Sequence, residues 1–274
     1  MPNASKPDFA TLGGIVLAIG GLVGGLLMEG GRLQDIAQIT SVLIVLGGTI
    51  GAVMISTPLS VLIRAAKQLR SVFFTSTESL SDRIEEIVAL ANHARRAGIV
   101  SLEAQASSIE DPFLRKALEL AVDGVEPARI RDIMEFEIEL FERDADAEAK
   151  VFEAAGGYAP TIGIIGAVLG LIQVMKNLAN VDEVGRGIAV AFVATVYGVA
   201  SANLFFLPAA GKLKARTHEL LRMRELTLEG VLGIAAGVNH RLIRTKLEAF
   251  LKKDHRAKTP QSTAATAEPA ATET

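Results

Sequence analysis

Thr161, Thr195, Tyr197, Ser201 and Asn203 are the side chains of this 274-residue chain placed to do chemistry in apolar surroundings. Their hydroxyls and amide can accept or donate a hydrogen bond or touch a cation. None of them carries a charge at neutral pH. Ion and proton relays in membranes normally rest on a charged group. Such a group costs at least about 3 kcal/mol at mid-membrane and is kept there only for function. An ion passing along these segments would therefore have to ride on a carboxylate from another subunit. Other chemistry is poorly supplied. The chain has no Cys, which excludes disulfides, thiolate metal sites and cysteine nucleophiles. His93, His218, His240 and His255 stand apart, without metal-ligand spacing. GIIGAVLG at 163–170 is glycine-rich but lacks the Lys-Ser/Thr of a phosphate loop. No catalytic constellation is present, so we expect neither an enzyme nor a resident metal or cofactor.

The elements that hold these groups are defined by an absence of charge. Phe9 to Met28, Ile36 to Ile63, Ala154 to Met175 and Gly187 to Gly211 contain no Asp, Glu, Lys or Arg. Each is long enough to supply the roughly 20 apolar residues that cross a bilayer as a helix. The expected fold is all-α. It is an integral membrane protein with four transmembrane helices at 9–28, 39–63, 156–176 and 187–210. A helical cytoplasmic domain at 64–153 separates the pairs, and two long helices extend into it. A helical tail at 211–256 and a low-complexity, disordered end at 257–274 complete the expectation. The first stretch is longer than the apolar part of a signal peptide. It ends in Met28-Glu29 without a small-residue cleavage site, so we expect it to be retained.

Charge placement orients these spans. Residues 64–153 carry 12 basic and 19 acidic side chains, and residues 212–274 carry 12 and 7. Arg64, Lys67 and Arg70 follow the second span, and Lys212, Lys214 and Arg216 follow the fourth. The short loops hold only Arg32 on one side and Lys176 and Arg186 on the other. Basic flanks mark the cytoplasmic side. The middle segment, the tail and the N-terminus are thus expected in the cytoplasm.

Gly20/Gly24, Gly21/Gly25, Gly47/Gly51 and Gly166/Gly170 are each four residues apart. Small residues at this spacing let helices approach closely in lipid, within or between subunits. Pro160 and Pro208 fall near the start of the third span and the end of the fourth, as helix boundaries or as hinges. In the charged middle, Ser79 or Ser81 can cap a helix whose apolar stripe is Ile84, Ile87, Val88 and Ala91. Arg95 and Arg96 fall in its last turn and Gly98 ends it. Ser101 can cap the next helix, with Glu103 in its first turn. Such charges complement helix dipoles, which is reason enough for them. Asp123-Gly124 makes a turn and Pro127 suits a helix start. Ile130, Met134, Ile138, Phe141, Ala145, Ala149 and Phe152 then keep a helical period toward the third span.

Four segments resemble MotA-type flagellar stator subunits, which are related to the ExbB and TolQ proteins. They are ARRAGIVSLE (94–103), LAVDGVEPARIRDIMEFEIE (120–139), YAPTIGIIGAVLGLIQVM (158–175) and ATVYGVASANLFFLPAAGKLK (194–214). With the order of spans, the resemblance covers residues 10–251. It implies a pentamer in the bacterial inner membrane around two single-span MotB-type helices that supply the ion-binding Asp. Ion passage would turn the pentamer against the rotor protein FliG. By motif, Arg95, Arg96 and Glu103 occupy the rotor-contact positions. Pro160 and Pro208 match the prolines that couple ion passage to movement, and Thr195 matches a hydroxyl near the ion path. In sodium-driven relatives a Thr follows the GxIG motif. Ala167 stands there in this chain, and its methyl group cannot coordinate Na⁺, so we expect proton coupling. His240 replaces a Pro common in relatives near the C-terminal end. The other readings are an ExbB/TolQ-like energising subunit, disfavoured by four spans, and a structural membrane scaffold.

Overall fold

The computed structural model describes residues 6–75 and 79–257. It falls into two compact units, one taking in residues up to 78 and 135–221, the other residues 79–134 and 222 onward. The contiguous 64–153 domain expected from charge is thus shared between them. Among the described residues the chain is helical apart from one strand pair, β1 (Lys6–Pro7) antiparallel to β2 (Phe74–Thr75). The expected disorder of 257–274 lies, Ala257 apart, outside the described residues.

In the first unit, α1 (Phe9–Met28) is capped by Asp8, whose carboxylate accepts from the N–H groups of Ala10 and Thr11. None of its residues is buried within the chain. Twenty apolar residues left uncovered need lipid or a neighbouring helix as solvent. The next helix, α2 (Ile39–Ser56), contains a π-helical segment at Leu43–Gly47. It stops earlier than the expected 39–63 span. Thr57 is extended (φ −134°, ψ 133°) and Pro58 begins a new helix, α3 (Leu59–Phe73). Proline disfavours helical backbone in the residue before it, a break that counting charges passes over. Ala65 and Val72 of α3 are buried, while Arg64, Lys67 and Arg70 are exposed.

Two helices supply residues to both units. The 50-residue α6 (Pro127–Lys176) spans about 75 Å at 1.5 Å per residue. Its intermediate predecessors α4 (Leu80–Ala97) and α5 (Pro112–Val122) belong to the second unit. Pro160 lies inside α6 and does not bound a helix, which corrects the boundary reading. The other long helix, α7 (Val181–Ala235), also runs through its proline. A π segment at Ala202–Phe206 ends two residues before Pro208, and the Leu207 N–H bonds to the Ala202 carbonyl five residues back. The wider register accommodates the loss of the proline donor without ending the helix. Val53, Ala65, Val72, Ala149, Phe152, Ala155, Ala209 and Leu213 form the apolar core where α2, α3, α6 and α7 meet.

The second unit packs α4, α5, the start of α6, the end of α7 and α8 (His240–Ala257). Ser79 caps α4 by accepting from the Asp82 N–H at 3.1 Å. Ser101 does not cap a helix. It lies in a 3₁₀ turn (Ile99–Leu102), and its hydroxyl donates to the Gly98 carbonyl at 2.6 Å. The cap of α5 is Asp111, with Pro112 in the first helical position. Ile84, Ile87, Leu102, Leu114, Leu118, Ile130, Met134, Leu226 and Leu247 are buried in the core.

Candidate functional site

The helices that carry the polar candidates, α6 and α7, cross at a row of small residues. Gly163, Gly166 and Gly170 of α6 meet Gly187, Ala191, Ala194 and Gly198 of α7 with almost nothing between the backbones. A Cβ on Gly163 would sit 2.9 Å from the Ala194 carbonyl oxygen, and one on Gly170 would sit 2.7 Å from that of Gly187. A Cβ on Gly198 would come within 2.6 Å of the Ala159 oxygen and 3.3 Å of the Pro160 Cα. Small residues are what allow this contact, and packing is what drives helix association in lipid.

The seam gathers some of the expected residues and leaves others out. Pro160 packs at Gly198, and Thr195 lies at the level of Gly163, 3.5 Å from where a Cβ would stand. The Thr195 hydroxyl donates to the Ala191 carbonyl of its own helix at 3.1 Å. Ala167, half-buried, follows Gly166 and lies seven residues along α6 from Pro160, which puts the two on one helix face. Pro208 is exposed and ten residues beyond Gly198 along α7. The structure therefore brings Pro160 and Thr195 to the crossing, puts Ala167 on the Pro160 face of α6 two turns along, and places Pro208 outside it.

The glycines divide in the same way. Gly166 and Gly170 are packing positions inside the chain. Gly20, Gly24, Gly47 and Gly51 have nothing within 4 Å of a Cβ position, so their faces are open. Within one subunit they pack against nothing, which leaves contact with another chain or with lipid. The sequence reading missed Gly163, Gly187 and Gly198. A search for Ala as well as Gly at four-residue spacing finds Gly187/Ala191 and Ala194/Gly198. Three other hydroxyls bind backbone. Ser41 donates to the Val190 carbonyl at 3.3 Å, Thr161 to that of Tyr158 at 2.8 Å, and Tyr197 to that of Ile36.

The second group of candidates lies on the second unit. Arg95 and Arg96 are exposed in the last turn of α4, and Glu103 is exposed just past the 3₁₀ turn. Gly98 joins the two segments at φ +86°, a conformation that a side chain would strain. The three charges have no ion-pair partner among the described residues. Nearby cations are used differently. Arg83 is 2% exposed and holds Asp111 at 2.7 Å and Glu86 at 3.2 Å. Arg244 pairs with Glu85 across α8 and α4, and its hydrogen bond holds the Glu85 carboxyl below its ordinary value. Burial pushes the Glu229 carboxyl up, but Arg131 and Lys246 outweigh it and leave the group lowered. Free, exposed charges beside paired ones are the arrangement that a charged partner surface could engage.

Comparison with known proteins gives these features a context. Residues 12–98 match the family described as Motility protein A N-terminal, and residues 105–226 match the MotA/TolQ/ExbB proton channel family. The chain is 38% identical over 255 residues to Motility protein A of Bacillus subtilis, covering 92% of this chain and 93% of that protein. Among solved structures it is similar to C. jejuni MotAB, with TM-score 0.85, 35% identity and coverage of 89% and 95%. It is also similar to the flagellar MotAB stator complex from Bacillus subtilis, with TM-score 0.84, 36% identity and coverage of 92% and 99%.

Proposed function

Because the chain belongs to the MotA/TolQ/ExbB proton channel family and is a MotA-like stator subunit, we propose that it converts ion flow into torque with a MotB-type partner. The observation that carries this reading is electrical. The four apolar helices hold no Asp, Glu, Lys or Arg across their uncharged stretches, yet α6 and α7 meet tightly at Pro160 and Thr195, with Ala167 two turns along α6. The carboxylate that a cation needs comes from the partner. The open glycine faces of α1 and α2 fit assembly of several copies, for which the pentamer implied by resemblance is our proposal.

In this reading the protein sits in the bacterial inner membrane with both termini in the cytoplasm. The ion is a proton, because Ala167 offers no oxygen where a desolvated Na⁺ would need one. Each charge crossing 100 mV releases about 2.3 kcal/mol, and several per step suffice for mechanical work. Arg95, Arg96 and Glu103 meet the charged face of the rotor protein FliG. Four candidate spans argue against an ExbB/TolQ-like role.

The test is ion leak in proteoliposomes. The chain with its MotB-type partner is expected to pass protons, whereas the chain alone passes none. Conductance by the chain alone would sink the argument that a partner supplies the acid.

A further inference from the structure

Asp8 ties three elements together. Its Oδ1 accepts from the Ala10 and Thr11 N–H groups at 3.1 and 3.2 Å and so starts α1. Its Oδ2 takes Lys212 Nζ at 2.6 Å and Arg216 Nη2 at 2.9 Å. Its own N–H donates to the Phe73 carbonyl at 2.9 Å, at the end of α3. The carboxylate side chain is 10% exposed. Charge-assisted bonds of this kind are about twice as strong as neutral ones and fix geometry.

The place of the cations gives the contact its meaning. Lys212 and Arg216 are four apart, on one face of α7, and Lys212 lies four residues past Pro208. The stretch of α7 before them departs from regular α-helical hydrogen bonding: a π segment at 202–206, then Leu207, then a proline without an N–H. A helix that can bend at Pro208 needs an external fixed point beyond it. Asp8 is that point. Movement of α7 is then passed along its own axis past Lys212 and Arg216. Without the tie it would be lost as sideways slip against α1, which has no buried residue of its own.

We propose that Asp8 is a positioning residue of the stator, a latch that holds the Lys212–Arg216 turn of α7 so that bending at Pro208 becomes torque. The proposal rests on the stator reading above. The Lys212 hydrogen bond, with that from the Thr11 N–H, holds the Asp8 carboxyl down at about 2 against an ordinary 3.8, so the latch stays charged at any cellular pH.

The experiment uses the full chain with its MotB-type partner in swimming cells. Asn caps a helix as well as Asp does, so Asp8→Asn keeps the start of α1 and removes the ion pairs. Lys212→Met removes one cation and keeps the apolar stem, and Lys212→Arg keeps the charge. Membrane level and partner co-purification report assembly. The step in rotation speed as each stator unit joins a heavily loaded motor reports torque per unit. Asp8→Asn and Lys212→Met are expected to assemble as the wild type does and to give smaller steps. The double variant is expected to be no worse than either single one, and Lys212→Arg to keep full steps. Full-height steps in Asp8→Asn, or a chain that no longer reaches the membrane, would make the contact a structural tie only and overturn the proposal. A wild-type chain that adds no steps at all would instead overturn the stator reading.

Discussion

Arg83 and Arg95 lie on the same helix, twelve residues apart, and do opposite things. Arg83 is enclosed, with Asp111 and Glu86 on its guanidinium. Arg95 is exposed at the helix end. Removing the buried guanidinium strips Asp111 and Glu86 of their cation, and because both carboxylates are partly exposed the cost falls below the roughly 3–5 kcal/mol of a fully buried pair. Arg83→Ala is therefore expected to lower the unfolding temperature of the purified complex and its level in the membrane. Arg95→Glu should leave both unchanged and impair swimming. Normal swimming by Arg95→Glu, or unchanged melting of Arg83→Ala, would remove the corresponding assignment. The difference was partly legible in the chain, because Arg83 shares helical spacing with the buried Ile87 and Leu90. Its partner Asp111 was not, since no local pattern links residues in different helices.

At the scale of elements, the glycines of the apolar helices fall into two classes that spacing alone cannot separate. Gly198 has no room for a Cβ, whereas Gly24 has open space. Overpacking a tight contact costs about 1–3 kcal/mol or more when backbone blocks the way. Gly198→Val is expected to prevent accumulation of the chain in the membrane. Gly24→Val should accumulate normally and, if α1 faces a neighbouring copy, lose co-purification of that copy. Wild-type accumulation of Gly198→Val would contradict the α6–α7 seam. Pro58 teaches a related lesson. The uncharged run continues to Ile63, but the helix does not, because backbone geometry rather than polarity ends α2 at Ser56.

At the scale of the whole molecule, function depends on what is outside the chain. A subunit with no Asp, Glu, Lys or Arg across its uncharged stretches needs a donor, and in the proposed reading a MotB-type partner is that donor. Ion choice then turns on the lining. With Ala167 beside Gly166, swimming is expected to be independent of external Na⁺ and to stop with a protonophore. Ala167→Thr is expected to leave proton-driven swimming in place. Motility that required Na⁺ and ignored the protonophore would reverse the assignment. His240, where relatives often carry Pro, begins α8 without preventing that helix: Ile243 and Leu247 are buried in the second unit.

The chain by itself determined the class of protein, helical with four helices long and apolar enough to cross a membrane. Long uncharged runs, basic flanks and helical periodicity are local properties, written residue by residue, and the hydrophobic effect reads them directly. Helix α4 and the continuation of α6 and α7 past their spans were legible for the same reason, whereas the start of α5 at Asp111 and the break before α8 were not. Only the tertiary structure decided which glycines touch, which arginine is buried, where α2 ends, and that Asp8 meets Lys212 and Arg216 some two hundred residues later. Those outcomes depend on which faces meet once the helices pack. A periodic pattern says that a face exists, not what lies against it.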